Sequence, residues 1–186
     1  MHPCFFGYGS LVNRDTHTYT TATRAQLKGW RRRWVYTAER GLAYLSVVPD
    51  ADTTILGLIA DVPNADWAVL DAREYGYDRI PSGSDVIHPR DTQTEISHYA
   101  VPRETWVPGG EQHIWLSYID VVIQGYLREY GAQGVVDFFD TTDGWDTLVH
   151  DDRAAPQYPR AQSLSRQETA LVDQHLALRN VRVIPA

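Results

Sequence analysis

The alternation of apolar and polar residues predicts a β-sheet in the first half of the chain. A short apolar run at residues 4–9 is typical of a buried strand. Residues 26–37 predict a long strand, with Trp30 and Trp34 on one face. Asp50 and Asp52 favour a turn within the strand region that follows. Further strands are predicted at residues 41–48, 54–62, 77–80, 85–88 and 95–101.

Helical spacing of apolar residues predicts one helix within the strand region and a second helix after it. The first helix begins with Asn64 as its N-cap and ends at Gly76. The second helix begins with Ser117 as its cap and ends at Gly131. A short helical stretch is predicted just beyond it, at residues 134–139.

The C-terminal part is predicted to be a long loop followed by a helix. Residues 141–159 predict the loop, and Ser165 with Glu168 has the spacing of a capping box for a helix reaching about residue 180. The predicted order along the chain is strands, one helix, more strands and then helices, which is typical of an α+β fold. A parallel doubly wound fold would alternate more regularly, so we predict a mixed and curled sheet in one domain, residues 1–186.

Composition and charge narrow the function classes. The chain has 186 residues, of which 43% are hydrophobic, enough for one folded domain with a substantial core. Its net charge of −7 argues against general nucleic-acid binding, which usually requires a basic surplus. The local basic run from Arg31 to Arg33 is interpreted as a solvated strand face.

Cysteine and histidine usage argues against a metal centre. Cys4 is the only cysteine, which excludes an internal disulfide and a thiolate cage, and an inert thiol is expected there. The histidines are scattered without ligand spacing. No segment approaches the roughly 18 apolar residues of a membrane span, and the N-terminus does not have the pattern of a signal peptide. A cytoplasmic protein without membrane association is therefore expected.

The first candidate site is the glycine-rich segment from Gly7 to Leu11 at the end of the first strand. The backbone N–H groups of Tyr8, Gly9 and Ser10 can form a concave site for a carboxylate or carbonyl oxygen. The segment matches neither a P-loop nor a dinucleotide fingerprint nor a nucleophile elbow. The alternative interpretation is a tight turn between strand and loop.

The second candidate is Glu74. It falls on the same helical face as Trp67 and Leu70, where a carboxylate is costly unless it is paired or functional. Burial and the negative end of the helix dipole would both raise its pKa toward the range of a general acid–base. The alternative is a buried ion pair with an arginine such as Arg79 or Arg33.

The third candidate is Tyr118, in the first turn of the second predicted helix. It lies near the same face as Gly125, where a glycine indicates close packing of helix and sheet. A tyrosine at this position can pack its ring inward and present its hydroxyl to a pocket. The alternative is a tyrosine at the edge of the core.

Three motifs, in this order, make the chain resemble the γ-glutamylcyclotransferase superfamily. They are FGYGSL at the end of the first strand, LDAREYGY with Glu74, and SYIDVVIQG with Tyr118 and Gly125. The strand segment LKGWRRRW resembles the arginine-bearing second strand of the glutathione-acting, ChaC-type branch. The resemblance covers about residues 5–131.

Two stretches depart from the pattern of that branch. Its Arg-Gly pair is followed by a Gly- and Pro-rich stretch, whereas here Arg40 and Gly41 are followed by LAYL. After Leu11 the chain continues with Val12 and Asn13 instead of an aromatic-containing segment. The substrate therefore stays open among glutathione, γ-glutamyl dipeptides, γ-glutamylamines and acylated metabolites.

The resemblance implies a fold and a reaction. The fold is a small mixed β-barrel flanked by helices, with a core at about residues 4–131 and a helical extension at 132–186. The reaction is conversion of a γ-glutamyl peptide or amine to 5-oxoproline, without cofactor or metal. Glu74 would be the general acid–base. From its charge alone, Arg33 is suggested as a contact for a distal carboxylate. The substrate-binding residues would be Tyr8, Gly9, Ser10, Leu11 and Tyr118.

Alternatives remain at the level of the sequence. A non-catalytic binding or regulatory module on the same fold is the second hypothesis, because fold does not determine function. The expected partner is a small γ-glutamyl molecule in either case, and the sequence indicates no oligomeric state. Residues 140–186 lie outside the resemblance and either cap the pocket or only pack; their notable residues are Arg153, Pro156, Tyr158, Pro159 and Arg160.

Overall fold

The computed structural model describes residues 3–38, 41–90, 94–109 and 112–186. Arg40, which marks a departure from the family pattern, lies outside this part. The described residues form three helices: α1 (Trp67–Arg73), α2 (Leu116–Asp140) and α3 (Arg166–Leu178). They form ten strands: β1 (Pro3–Gly7), β2 (Thr23–Tyr36), β3 (Ala43–Asp61), β4 (Asp78–Pro81), β5 (Val86–Ile87), β6 (Glu95–Ala100), β7 (His113–Trp115), β8 (Thr142–Asp143), β9 (Leu148–Asp151) and β10 (Val183–Pro185).

The main sheet is mixed, and the predicted α+β class is confirmed. Its strand order is β4-β6-β1-β3-β2-β5, with β8 added on β2, and the sheet curls into a half-barrel. β1 pairs antiparallel with β3 and parallel with β6. A second sheet of three short parallel strands, β10-β9-β7, was not predicted. The predicted loop at 141–159 is therefore wrong in part, because it contains β8 and β9.

β3 is one long strand, so the predicted turn at residues 50–52 is wrong. The segment lies where the pairing of β2 with β3 shifts register, opposite Gly29, which has a φ of 77°. The carboxylate of Asp50 accepts hydrogen bonds from the Asp52 N–H at 3.3 Å and the Thr53 hydroxyl at 2.7 Å. The turn-forming residues thus make a local irregularity that the strand absorbs as a bulge.

The ends of α1 differ slightly from the prediction. Asp66 is the N-cap, and its side chain accepts a hydrogen bond from the Ala68 N–H at 2.9 Å. Asn64 instead has a φ of 55° in the preceding 3₁₀ turn, which excludes it from the cap role. Glu74 is the C-cap, and Gly76 has a φ of 87°, as a residue just beyond a helix end often does.

α2 contains both helical stretches that were predicted, with the break at Gly131, where φ is 69° and ψ is −168°. Ser117 does not cap the helix with its own side chain, as had been predicted. The Asp152 carboxylate does so from a distant segment: it accepts from the Ser117 N–H at 2.8 Å and from the Ser117 hydroxyl at 2.6 Å. A carboxylate is favoured there because unpaired N–H groups and the positive end of the helix dipole coincide.

α3 begins as predicted. The Ser165 hydroxyl accepts from the Glu168 N–H at 3.2 Å, and the Glu168 carboxylate accepts from the Ser165 N–H at 2.7 Å. These reciprocal bonds form the capping box. α3 packs its buried face, with Val172 and Leu176, against the same hydrophobic cluster that holds the strands. The division into a core and an extension within one domain stays a prediction.

Arg32 corrects the interpretation of Arg31 to Arg33 as a solvated strand face. Arg32 is completely buried. Its guanidinium donates to the Tyr8 carbonyl at 3.1 Å and to the Thr141 hydroxyl at 2.6 Å, and it also contacts the Leu56 carbonyl and the Tyr126 hydroxyl. The charge is tolerated in the interior because its donors are hydrogen-bonded to protein acceptors.

Among the helices in the described ranges, none is both long and apolar enough to cross a membrane. The described residues also contain no group of three or more His, Cys, Asp or Glu side chains placed to hold a metal ion.

Candidate active site

A cavity of about 260 Å³ opens where β1 ends, between the C-terminus of α1 and the start of α2. All six residues predicted for the site line this cavity: Tyr8, Gly9, Ser10, Leu11, Glu74 and Tyr118. They come from three separate parts of the chain. The fold therefore brings together what the sequence presents as three independent motifs.

The segment after β1 leaves backbone donors outside the regular hydrogen-bond ladder. β1 ends at Gly7, and a single 3₁₀ turn covers Ser10–Val12. The first bond of this turn runs from the Val12 N–H to the Gly9 carbonyl at 3.0 Å. The N–H groups of the three residues before Val12 precede that first bond, so the turn itself supplies them with no partner.

Glycines are required here by close packing against α2. A Cβ at Gly9 would lie 2.6 Å from the Tyr118 hydroxyl oxygen. A Cβ at Gly125 would lie 2.6 Å from the backbone nitrogen of Asn13. Asn13 in turn donates its side-chain amide to the Val121 carbonyl at 2.9 Å. The glycines thus let the loop and helix α2 touch, which places the Tyr118 hydroxyl directly beside the loop backbone.

Glu74 ends α1 at the cavity wall, with its side chain 21% exposed. Burial raises the pKa of Glu74, while the positive charges of Arg73 and Arg160 act to lower it. The alternative of an ion pair with an arginine is confirmed, but the partner is Arg73, at 3.3 Å, and neither Arg79 nor Arg33. Arg79 pairs with Asp71 at 3.1 Å, and the Arg33 guanidinium lies over the Trp106 ring.

Arg73 lies close to Glu74, but its Nε does not donate a hydrogen bond to the Glu74 carboxylate. The Arg73 Nε lies 3.3 Å from the Glu74 Oε1 but makes no hydrogen bond. The Arg73 Nη1 donates instead to the Tyr19 hydroxyl at 3.0 Å, and the guanidinium stacks over that ring. The Glu74 carboxylate therefore keeps acceptor capacity that faces the cavity.

Buried tyrosines supply neutral hydroxyl groups around the carboxylate. Burial raises the pKa values of Tyr8 and Tyr118 well above the usual range, so both stay protonated at neutral pH. The Tyr8 hydroxyl donates to the Tyr99 carbonyl at 2.6 Å. Tyr118 is the one of these two whose hydroxyl adjoins the Gly9 backbone.

The cavity wall also contains residues that were not predicted as site residues, among them Arg73, Tyr158 and Arg160. Tyr158 packs its ring edge-to-face on Tyr118, with centroids 5.0 Å apart. Tyr158 and Arg160 belong to the C-terminal part whose role the sequence left open between capping and packing. Arg33, which the sequence suggested as a substrate contact, does not line the cavity.

A second cavity of about 510 Å³ adjoins the first. Tyr44, Tyr75 and Tyr77 line both cavities. Asp78 and Glu104 are exposed carboxylates on the wall of the second cavity. The two spaces together can therefore accommodate a molecule longer than a single glutamyl group.

Comparisons with known proteins agree with this architecture. The ChaC family (ChaC-like protein) matches residues 4–107, more than half of the chain. No curated protein sequence matches significantly.

Three solved structures are similar in fold. YkqA from Bacillus subtilis has a TM-score of 0.55 at 18% identity, over 73% of this chain and 52% of that protein. The human uncharacterized protein loc79017 has a TM-score of 0.56 at 12% identity, and the match covers 91% of this chain and 97% of that protein. A protein named γ-glutamyl cyclotransferase has a TM-score of 0.56 at 11% identity, and the match covers 94% of this chain and 99% of that protein. The chain thus spans about half the length of YkqA and nearly all of the other two.

Proposed function

The chain belongs to the ChaC-like family, within the γ-glutamylcyclotransferase-like superfamily, and from this premise we propose that it converts a γ-glutamyl peptide or amine to 5-oxoproline. The released product is the amine or peptide. One observation carries the proposal: Glu74, a carboxylate with a raised pKa, shares a small cavity with the glycine-rich loop and the Tyr118 hydroxyl. A carboxylate and neutral donors around one cavity are what an intramolecular acyl transfer requires.

The reaction balances without any further reactant. The α-amino nitrogen of the γ-glutamyl group attacks its own γ-carbonyl carbon and closes a five-membered ring. The bond from that carbon to the leaving nitrogen then breaks. The attacking nitrogen loses a proton and the leaving nitrogen gains one, so one group that first accepts and then donates a proton is sufficient. In this proposal that group is Glu74.

The environment of Glu74 suits this role. Its carboxylate must be ionised to accept the amine proton, and burial holds its pKa above the usual value, which strengthens it as a base. The carboxylic acid formed in this way then returns the proton to the leaving nitrogen. The cations of Arg73 and Arg160 oppose that shift and favour the ionised form. The confined cavity would also hold the flexible glutamyl chain in a ring-like shape, which reduces the entropic barrier.

The loop and Tyr118 would hold the other end of the reacting group. Gly9, Ser10 and Leu11 line the cavity, and their backbone N–H groups would bind the glutamyl group or the oxyanion that forms during attack. The Ser10 backbone interacts with the Tyr118 hydroxyl, so the loop and Tyr118 would act together. Tyr118 would add one neutral hydrogen-bond donor beside Gly9. In this proposal the small side-chain volume of the loop serves both the packing of Tyr118 and access of the substrate to the backbone.

The leaving group would extend into the second cavity, across Tyr44, Tyr75 and Tyr77. That wall carries the carboxylates of Asp78 and Glu104, and the guanidinium groups of Arg33 and Arg103 lie over its Trp106 ring. Both signs of charge are therefore near the second cavity, and the leaving group stays open among peptides and amines.

The test is an assay of 5-oxoproline with the purified protein. The panel contains glutathione, γ-glutamyl dipeptides with free and amidated C-termini, and γ-glutamylamines. Glu74→Gln is the inactive control, and Glu95→Gln is the matched control, because Glu95 is exposed in β6 outside the cavity. We expect release by the wild type and Glu95→Gln and loss in Glu74→Gln.

The outcome separates the two hypotheses. Release that does not depend on Glu74 refutes its role as acid–base. If γ-glutamyl compounds bind but none is converted, the non-catalytic binding module is correct. Release from one class of the panel alone would identify the leaving group.

A further inference from the structure

A segment outside the family match forms one wall of the cavity. We call residues 152–161 the C-terminal strap. Its anchor is Asp152, which is 3% exposed and caps α2 through Ser117. The same carboxylate accepts from the Gln157 N–H at 2.7 Å. The strap is therefore fixed at a buried point, on the helix that carries Tyr118.

Contacts nearer the cavity determine where the end of the strap lies. The Tyr158 N–H donates to the Ser117 hydroxyl oxygen at 3.3 Å. The Tyr158 ring packs against Tyr118, and its carbonyl accepts from the Ala161 N–H at 3.0 Å. These bonds form a turn that presents Arg160 to the cavity shared with Glu74.

Arg160 differs from two other arginines of the C-terminal part. Arg153 forms ion pairs with Asp120 and Asp173, each at 2.7 Å, and Arg179 pairs with Asp140. Within the described ranges, Arg160 takes part in no ion pair and its side chain is exposed at the cavity. A positioned guanidinium with free donors is a site for a carboxylate, which it can bind in bidentate geometry.

We propose that Arg160 binds the α-carboxylate of the γ-glutamyl group, so that the C-terminal strap contributes to substrate recognition. This inference rests on the proposed function. The α-amine and the α-carboxylate are attached to the same carbon. A substrate whose amine lies at Glu74 therefore has its carboxylate within a few ångströms, in the cavity that Arg160 lines. The substrate class is thus compounds with a free glutamyl α-carboxylate.

The experiment compares Arg160→Gln and Arg160→Lys with wild type. Arg166→Gln is the matched control, because Arg166 is exposed at the start of α3 and lies outside the cavity. Binding of 5-oxoproline is measured by calorimetry, since this product retains the α-carboxylate. Turnover is measured on a γ-glutamyl dipeptide with a free C-terminus and on its C-terminal amide. Thermal unfolding checks that each variant is folded.

We expect Arg160→Gln to weaken 5-oxoproline binding and raise KM by about 10- to 100-fold on both substrates. Arg160→Lys should retain part of the affinity, and Arg166→Gln should match wild type. A loss confined to the dipeptide with the free C-terminus overturns the proposal, because Arg160 would then bind the leaving group. Unchanged binding and KM in Arg160→Gln also overturn it. Absence of turnover in wild type refutes the proposed function alone, since binding of 5-oxoproline still tests Arg160.

Discussion

Two charged residues lie near the loop after β1, and their surroundings differ. Arg32 is completely buried and donates hydrogen bonds to acceptors that include the Tyr8 carbonyl and the Thr141 hydroxyl. Glu74 is partly buried and lies beside Arg73 without a hydrogen bond from its Nε. The interior group is satisfied by neutral partners, whereas the cavity group keeps free acceptor capacity.

In our proposal this difference separates a structural charge, Arg32, from a reactive one, Glu74. Arg32 connects β2 with the loop after β1, with β3 and with α2 through its partners Tyr8, Leu56 and Tyr126. Removing such a group leaves buried acceptors unpaired, which costs stability. Glu74 bears the cost of burial without full compensation, as expected where a pKa is adjusted for proton transfer. Substitutions at the two sites should therefore affect different measurements.

The largest expected effect is on turnover in Glu74→Gln. Loss of the proton carrier should reduce 5-oxoproline release by about 10²- to 10⁴-fold. The thermal stability of Glu74→Gln should stay the same or increase, although its turnover falls. The native pKa of Glu74 is raised, so ionisation at neutral pH costs native stability, and the neutral amide removes that cost. We expect a Tm at pH 7 equal to or above wild type, with no advantage below about pH 4, where the carboxyl is protonated in both states. A clear fall in Tm at pH 7 would contradict this.

Arg32→Met should mainly reduce stability. We expect a loss of about 2–4 kcal/mol in the free energy of unfolding, measured by urea denaturation, because several buried acceptors lose a donor. Arg31→Met is the matched control. Arg31 is more exposed and pairs with Asp143 at 2.8 Å, so its loss should cost at most about 1 kcal/mol. Equal losses of unfolding free energy in the two variants would show that the buried hydrogen bonds of Arg32 do not stabilise the fold more than the exposed pair of Arg31 does.

Gly9→Ala should disturb the loop because its Cβ would meet the Tyr118 hydroxyl oxygen at 2.6 Å. We expect turnover to fall by about 10- to 100-fold, as for a displacement near an active site. Tyr118→Phe removes the clashing atom. Gly9→Ala should then lower the Tm in the wild-type background but not in the Tyr118→Phe background. An equal fall in both backgrounds would exclude this contact as the reason for the glycine.

The smallest expected effect is a change in pH dependence in Arg73→Gln. The Arg73 cation lowers the pKa of Glu74, so its removal should raise that pKa further. The acid limb of kcat/KM should move to higher pH, because Glu74 must be ionised to accept a proton. Arg79→Gln is the control, since Arg79 pairs with Asp71. The acid limb of kcat/KM in this variant should lie at nearly the same pH as in wild type. A limb that moves to lower pH in Arg73→Gln would contradict Glu74 as the base.

Features that depend on neighbouring residues could be predicted from the sequence. The Ser165 and Glu168 capping box, the helix break at Gly131 and the turn at Gly76 each involve contacts within a few residues. The order of the strands and helices was sufficient to predict the α+β class. Residue type and spacing singled out the glycine-rich loop, Glu74 and Tyr118 as candidates, and the resemblance to the γ-glutamylcyclotransferase superfamily supplied their expected roles.

Errors arose where a residue type was interpreted without its tertiary partners. Alternation along β2 places Arg32 on the same face as Trp30 and Trp34, but its charge led to the prediction of a solvated face. The partners that make burial possible, Thr141 and Tyr126, lie 109 and 94 residues away in the sequence. No local pattern along β2 reports them.

Most strands and helices and the three motifs could be recognised from the sequence, because amphipathic faces and capping boxes follow from interactions between residues close in the chain. Long-range packing was needed to show that Asp152 caps α2, that Arg32 is buried, and that Tyr158 and Arg160 line the cavity with Glu74. Asp152 and Ser117 are 35 residues apart. Contacts at such separations depend on how the whole chain packs its apolar surface, and no short stretch of sequence predicts that packing.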